Sequence, residues 1–199
     1  MDDGSACLPP PRSQEPNSIP KSLASCRRGG YSRVVLEGSI SIRELREADL
    51  DAVVCIASAS PEAAAWKRQD YARALEDQPA WLCRVADWKG TTAGFVCFRV
   101  LGPEAELLNL AVDPRRRGQG IGARLVGGML EEAAQRSAVR VFLEVRDSNF
   151  AAMRLYEKQG FQVLSRRPAY YSNPTADALV LHRVLPSAVA AAGSPTGSF

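Results

Sequence analysis

The sequence predicts an α/β fold: one domain on a mixed sheet (α+β), with about seven strands and four helices. Three observations point there. The chain has 199 residues, 46% hydrophobic and 24% charged, which suits a single core with tail to spare. Segments of period two and segments of period three to four follow one another in mixed order, with no internal repeat. Two strand-like runs also flank Lys89-Gly90, a turn that lets them pair as a hairpin.

Residues 1–38 are rich in Pro, Ser, Gly and Arg and lack apolar periodicity, so they read as a disordered N-terminal extension. Residues 39–186 hold the domain, and residues 187–199, small and polar, read as a disordered C-terminal tail. Inside the domain, residues 39–45 alternate as a short strand. Residues 47–58 form an amphipathic helix with Leu50, Val53, Val54 and Ala57 on one face. Pro61 opens a second helix reaching about Glu76, in the first turn, where proline is tolerated. Residues 81–86 and 92–101 are the hairpin strands, and 104–112 is the next strand.

Residues 119–137 form a helix on which Ile121, Leu125, Met129 and Ala133 recur at spacing four. Gly127 and Gly128 inside it cost about 1 kcal/mol each relative to alanine, and close packing of the helix on the sheet accounts for them. Residues 139–145, rich in branched side chains, are a strand. Residues 149–159 are a helix, capped by Ser148 or Asn149 and ended by Gly160, with Phe161 folding back. Residues 161–165 and 177–185 are the last strands, joined by a loop holding Pro168, Tyr170 and Tyr171.

The most informative stretch runs from Asn109 to Leu125: an apolar strand, a turn of arginines and glycines, then a helix start. Glycines let a backbone approach a ligand closely, and the free N–H groups of a helix start attract anions. Arg115, Arg116, Arg117 and Arg124 add mobile positive charge. A diphosphate-bearing cofactor fits such a cradle. A P-loop needs Lys and then Ser or Thr after its last glycine, whereas Gly122 is followed by Ala123 and Arg124. Gly118, Gly120 and Ala123 satisfy the dinucleotide pattern G-x-G-x-x-[GA], with Glu144 near the place of a ribose-binding acid. In that fold the first glycine follows its strand almost directly; here residues 113–117 intervene, and too little chain follows for a doubly wound sheet.

The third pattern is Arg117-Gly-Gln-Gly120-Ile-Gly122. It is followed by Leu143-Glu-Val-Arg-Asp-Ser-Asn149, Ala151-Ala152, Leu155-Tyr156-Glu157 and Gly160-Phe161. With these motifs the chain resembles the GNAT family of N-acetyltransferases, over about residues 39–186 and most sharply over 107–161. The resemblance implies the acyl-CoA N-acyltransferase fold and acetyl-CoA as cosubstrate, with its pyrophosphate on Arg117, Gly118, Gln119, Gly120, Ile121 and Gly122. It also implies a bulged, splayed strand at Leu110, Ala111 and Val112. The unpaired backbone groups of Leu110 and Val112 then bind the pantetheine arm and polarise the acetyl carbonyl. Pro114 has no N–H to offer.

Glu144 is the candidate base, placed on one strand face with Arg140 and Phe142. The alternative is a structural ion pair with Arg146 or Arg99. Tyr156 is the candidate acid, since a phenol with a pKa near ~10 is protonated at neutral pH and can donate to a leaving thiolate. The alternative is a core aromatic. Asn149 caps its helix and touches the pantetheine arm, or caps it alone.

The remaining composition narrows the class. A net charge of +3 is too small to argue for nucleic-acid binding. No apolar run approaches membrane-spanning length, and the N-terminus lacks a secretion-signal pattern. Five cysteines without a C-x-x-C pair read as reduced thiols of a cytoplasmic protein, with no metal site. His182, the one histidine, reads as structural or surface.

The acceptor amine is less determined. Asn-x-Ala-Val-Asp-Pro, Leu-Glu-Val-Arg-x-Ser-Asn and the pairs Arg166-Arg167 and Tyr170-Tyr171 resemble the RimI-type subgroup, which acetylates the N-terminal alanine of a ribosomal protein. Residues 64–71, which would wall the acceptor groove, match that subgroup poorly. The tyrosine pair lines a peptide groove or packs the last loop. Three functions stay open: acetylation of a protein N-terminal amine, acetylation of a small amine, and a non-catalytic acyl-CoA-binding module.

Overall fold

The computed structural model describes residues 40–76, 80–172 and 174–186. The predicted extension and tail lie outside these residues. Among the described residues seven strands form one sheet in the order β1-β2-β3-β4-β5-β7-β6. They are β1 (Ile40–Glu44), β2 (Trp81–Trp88), β3 (Thr91–Leu101), β4 (Glu104–Val112), β5 (Arg140–Arg146), β6 (Gln162–Ser172) and β7 (Thr175–Val184). The helices are α1 (Leu50–Ser58), α2 (Arg68–Ala72), α3 (Ile121–Gln135) and α4 (Phe150–Lys158). Only β4 and β5 pair in parallel, and α3 makes the crossover between them. The predicted mixed sheet is therefore present.

The β2–β3 hairpin closes on Lys89 (φ 52°) and Gly90 (φ 81°), two left-handed residues whose twist suits a two-residue turn. Helices α3 and α4 cover one face of the sheet, where Leu125, Met129 and Ala133 meet Val96, Leu107 and Leu143. Helices α1 and α2 cover the other face, where Leu50, Val53 and Tyr71 meet Val85, Phe95 and Ala111. On that second face Phe142, Glu144, Val180 and His182 stay partly exposed, with His182 stacked on Phe142 at 6.3 Å.

Three expectations need correction. The helix predicted from Pro61 begins only at Arg68. Ala64 donates its N–H to Asn109 Oδ1 and accepts from Asn109 Nδ2, both at 3.2 Å. A tertiary partner thus takes the backbone groups that a helix would use. The loop predicted at Pro168–Tyr171 is strand: β6 continues through a bulge and rejoins β7 at Tyr171↔Ala176. Pro168 tolerates this because a bulge asks no ladder bond of it, and Ala169 takes φ 49° there. Close packing does not account for Gly127, since a Cβ there would meet nothing within 4 Å; at Gly128 it would make ordinary contact, 3.6 Å from Ile42.

Candidate active site

The site grows from a fork in the sheet. The β4–β5 ladder ends at Leu107↔Leu143, and the strands part beyond it. At that same level β4 carries a bulge: Cys97 faces Asn109 while Phe98 faces Leu107, leaving Leu108 as the extra residue. Past the bulge, the Asp113 N–H donates to the Ala93 carbonyl on the β3 side at 2.9 Å. Alternation along the strand then aims the backbone groups of Leu110 and Val112 at the fork and those of Ala111 at β3. Of the three strand residues predicted to meet the cosubstrate, two turn their backbone to the fork. Ala111 instead pairs with Phe95 and buries its methyl against the α1–α2 layer.

The glycine turn follows at the end of β4. Gly118 and Gly120 adopt φ 76° and 82°, conformations that glycine takes without strain. A Cβ at either would meet nothing within 4 Å, so the surface outside both is open to a ligand. Gly120 is the N-cap of α3 and has no side chain to cover the first N–H groups. Ile121 buries its side chain in the core, Gly122 packs beneath Leu155 of α4, and Gln119 is exposed. These features fit a pyrophosphate.

The arginines do not hang loose as expected. Arg115 grips Asp113 at 2.9 Å and holds that carboxyl below its usual range. Arg116 lies over the Trp88 ring at 4.8 Å. Arg117 donates to Ser60 Oγ at 2.9 Å and to the Val112 carbonyl at 3.3 Å. Arg124 reaches the Ile40 carbonyl at 3.2 Å. They build the turn as well as charge it.

Glu144 is the first residue of β5 past the last rung, at the apex of the fork. Its carboxylate pairs with Arg167 at 2.6 Å, with the side chain 27% exposed. The Tyr170 hydroxyl also bonds Glu144, which raises the tyrosine's pKa. Neither arginine expected as a partner is used here. Arg99 pairs with Glu106 at 2.6 Å, and Arg146 stacks 4.0 Å from the Tyr171 ring. A cleft of about 320 Å³ opens on this face, with Glu144, Arg167, Phe142 and Val180 among its lining. The glycine turn does not line it.

Tyr156 lies on the other face of the sheet. It is 5% exposed, edge-on to Phe161 at 5.7 Å, and burial pushes its phenol well above the usual range. Asn149 caps α4 by accepting from the Ala152 N–H at 3.1 Å. Gly160, at φ 77°, ends that helix as expected, and the Phe161 N–H returns to the Tyr156 carbonyl.

Sequence reasoning missed two residues of the site. The sequence shows Arg167 in a pair with Arg166 but gives it no role, because only an earlier register shift in β6, between Val163 and Ser165, turns it to the face of Glu144. Gly94 drew no attention, yet a Cβ there would lie 2.8 Å from the Ala111 carbonyl oxygen. That glycine lets β3 and β4 close up beside the fork. An isolated glycine inside a strand pattern was the available signal.

A forked parallel pair, a glycine turn opening a helix and a carboxylate at the fork define an N-acyltransferase of mixed α/β fold. Residues 41–161 match the model of the Acetyltransferase (GNAT) family, and the chain belongs to it. It is similar to a Bacillus subtilis (strain 168) protein named as a candidate ribosomal protein bS18-alanine N-acetyltransferase, at 32% identity over 71% of this chain and 93% of that one. It is similar to the Escherichia coli (strain K12) ribosomal protein bS18-alanine N-acetyltransferase, at 42% identity over 44% of this chain and 58% of that one. Among solved structures, the ribosomal-protein-S18-alanine N-acetyltransferase of Escherichia coli superposes with a TM-score of 0.66 at 29% identity. That match covers 81% of this chain and 100% of the other. Ard1 of Thermoplasma volcanium gives 0.66 and 29%, over 74% and 99%.

Proposed function

We propose that this chain is a cytoplasmic enzyme that transfers the acetyl group of acetyl-CoA to the N-terminal α-amine of a protein beginning with alanine, as its relatives' names state for ribosomal protein bS18. The observation that carries this reading is the position of Glu144. It sits at the apex of a fork approached from two faces, with the open cleft on one side and Tyr156 and the α3 start on the other. An amine and a thioester can therefore arrive from opposite faces and meet there.

On this reading the turn from Arg117 to Gly122 holds the pyrophosphate. The N–H groups of Leu110 and Val112 orient the pantetheine arm and the acetyl carbonyl, with Asn149 beside them. Glu144 receives the amine proton directly or through water. An α-amine suits this chemistry: near pH 7 roughly one in ten is already neutral, against fewer than about one in a thousand lysine amines. Tyr156 acts as a hydrogen-bond donor to the leaving sulfur. Its phenol is held above ~10, so full proton transfer to a thiolate, whose thiol has a pKa near ~8.5, is uphill. Stabilisation of the sulfur through a hydrogen bond is not.

The test is thiol release from acetyl-CoA against peptides starting with Ala, Ser or Met, alongside a polyamine, free amino acids and an aminoglycoside. Peptides starting with alanine should turn over fastest. Turnover confined to small amines would overturn the acceptor assignment.

A further inference from the structure

Arg167 has no task in the chemistry above, yet it holds the group on which that chemistry depends. Its Nη1 lies 2.6 Å from Glu144 Oε1, and both residues line the open cleft. Its guanidinium also lies over the Tyr170 ring, 5.5 Å from the centroid. The side chain is 53% exposed, but the strand that carries it is tied down. Arg166, its neighbour, pairs with Asp147 at 2.8 Å and with Asp177. Asp177 also accepts the Ala169 N–H at 2.8 Å. One carboxylate thus fixes the chain on both sides of Arg167.

The other charged groups lining the cleft are matched or distant. Arg99 pairs with Glu106 at 2.6 Å. Glu104 stands in register with Arg140, four residues before Glu144 on β5. That places it about 13 Å away along the strands, beyond a Debye length at physiological salt. Arg146, two residues past Glu144, stacks on the Tyr171 ring at 4.0 Å. Arg167 is therefore the cation that sets the charge balance at Glu144.

A carboxylate standing alone at the fork would draw cations. The ammonium form of an amine would settle on it, and an ammonium has no lone pair with which to attack a thioester. A unit charge hydrogen-bonded to the Glu144 carboxylate would lie roughly 5–8 Å from the guanidinium. Repulsion at that distance offsets about half of the carboxylate's attraction. A neutral amine meets no such repulsion and still finds an acceptor for its proton.

We propose that Arg167 is a specificity-determining residue. It cancels the pull of Glu144 on cations, so that the site takes amines in their neutral form. Protein α-amines are then favoured over lysine-like amines and polyamines, which are almost wholly protonated near pH 7. This rests on reading Glu144 as the base and its cleft as the acceptor site.

The experiment is calorimetry on the full chain in the presence of CoA, with two unreactive peptides as probes. One begins with an alanine whose α-nitrogen is trimethylated and so carries a permanent charge. The other is the same peptide without that nitrogen. Arg167→Gln should tighten the charged peptide roughly tenfold relative to the neutral one. Arg167→Met, also uncharged, should repeat that result. Arg167→Lys keeps the charge and Tyr170→Phe removes only a hydroxyl, so both should hold the ratio within about twofold. Arg167 is a half-exposed side chain, and substitutions at such positions seldom prevent folding. An unchanged ratio in Arg167→Gln overturns the proposal, as does an equal rise in Tyr170→Phe, where no charge is lost. If the wild type binds neither peptide, the acceptor reading fails by itself; the same comparison is then made with the amine that turns over and its fully methylated cation.

Discussion

Gly94→Ala probes the fork through a single added methyl group. The new Cβ would lie 2.8 Å from the Ala111 carbonyl oxygen, 3.2 Å from Leu125 Cδ1 and 3.3 Å from Val112 Cα. Leu125 could turn aside, but the other two atoms are backbone of β4. The strand itself has to move, and overpacking of this kind costs about 1–3 kcal/mol. Loss of glycine entropy in the unfolded chain returns about 0.5–1 kcal/mol. The clash wins, and a net loss of roughly 1–2 kcal/mol lowers Tm by about 3–6 °C for a domain of this size. Because Ala111 and Val112 are the atoms displaced, acetyl-CoA binding should weaken as well. Calorimetry gives both quantities. A variant with wild-type Tm and wild-type acetyl-CoA affinity would refute the claim that β3 and β4 close on each other here.

Other substitutions test separate parts. Glu144→Gln should lower turnover roughly a hundredfold near neutral pH while acetyl-CoA affinity holds; equal rates across the pH range remove Glu144 from the mechanism. Gly120→Asp meets no clash inside the protein but brings a negative charge and a side chain to the cradle, so titration should show weakened acetyl-CoA binding, and equal affinity contradicts the cradle. Asp49 accepts from Arg43 at 2.7 and 2.8 Å and from the Arg46 N–H and Thr92 hydroxyl, both at 2.9 Å, and its carboxyl is pulled down to about 2, chiefly by Arg43. A folded pKa below the unfolded value of about 3.9 means stability that is present above pH ~4 and lost as pH falls toward ~2, worth roughly 2–3 kcal/mol. The Tm gap between wild type and Asp49→Asn should be wide at neutral pH and shrink below pH 4; a constant gap refutes the assignment.

What the sequence made legible was local. The alternation of β4, the Lys89-Gly90 turn, the glycines before α3 and the Asn149 and Gly160 caps each depend on neighbours a few residues away, and each stands where it was expected. The carboxylate at position 144 could be given its strand face by counting alternate residues. What failed depended on distant partners. The stretch from Pro61 has helical composition, but Asn109, 45 residues on, claims its backbone. Arg167 meets Glu144 only after a bulge that no local pattern announces. The four arginines of the turn found partners in Asp113, Trp88, Ser60 and Ile40, three of which lie far off in sequence. Nothing in the structure explains Gly127.

Leu108 sets the phase of its strand. One surplus residue acts as a phase shifter in β4, so that Ala105 and Leu107 feed the α3 layer while Asn109 and Ala111 feed the opposite one. Excising it would set Leu107 directly before Asn109, opposite Phe98 and Cys97, as a regular pleat with every later side chain on its present face. What would go is the kink, and the strand would have every reason to zip shut against β5. A single deletion here should therefore weaken acetyl-CoA binding while each core side chain of the strand keeps its layer.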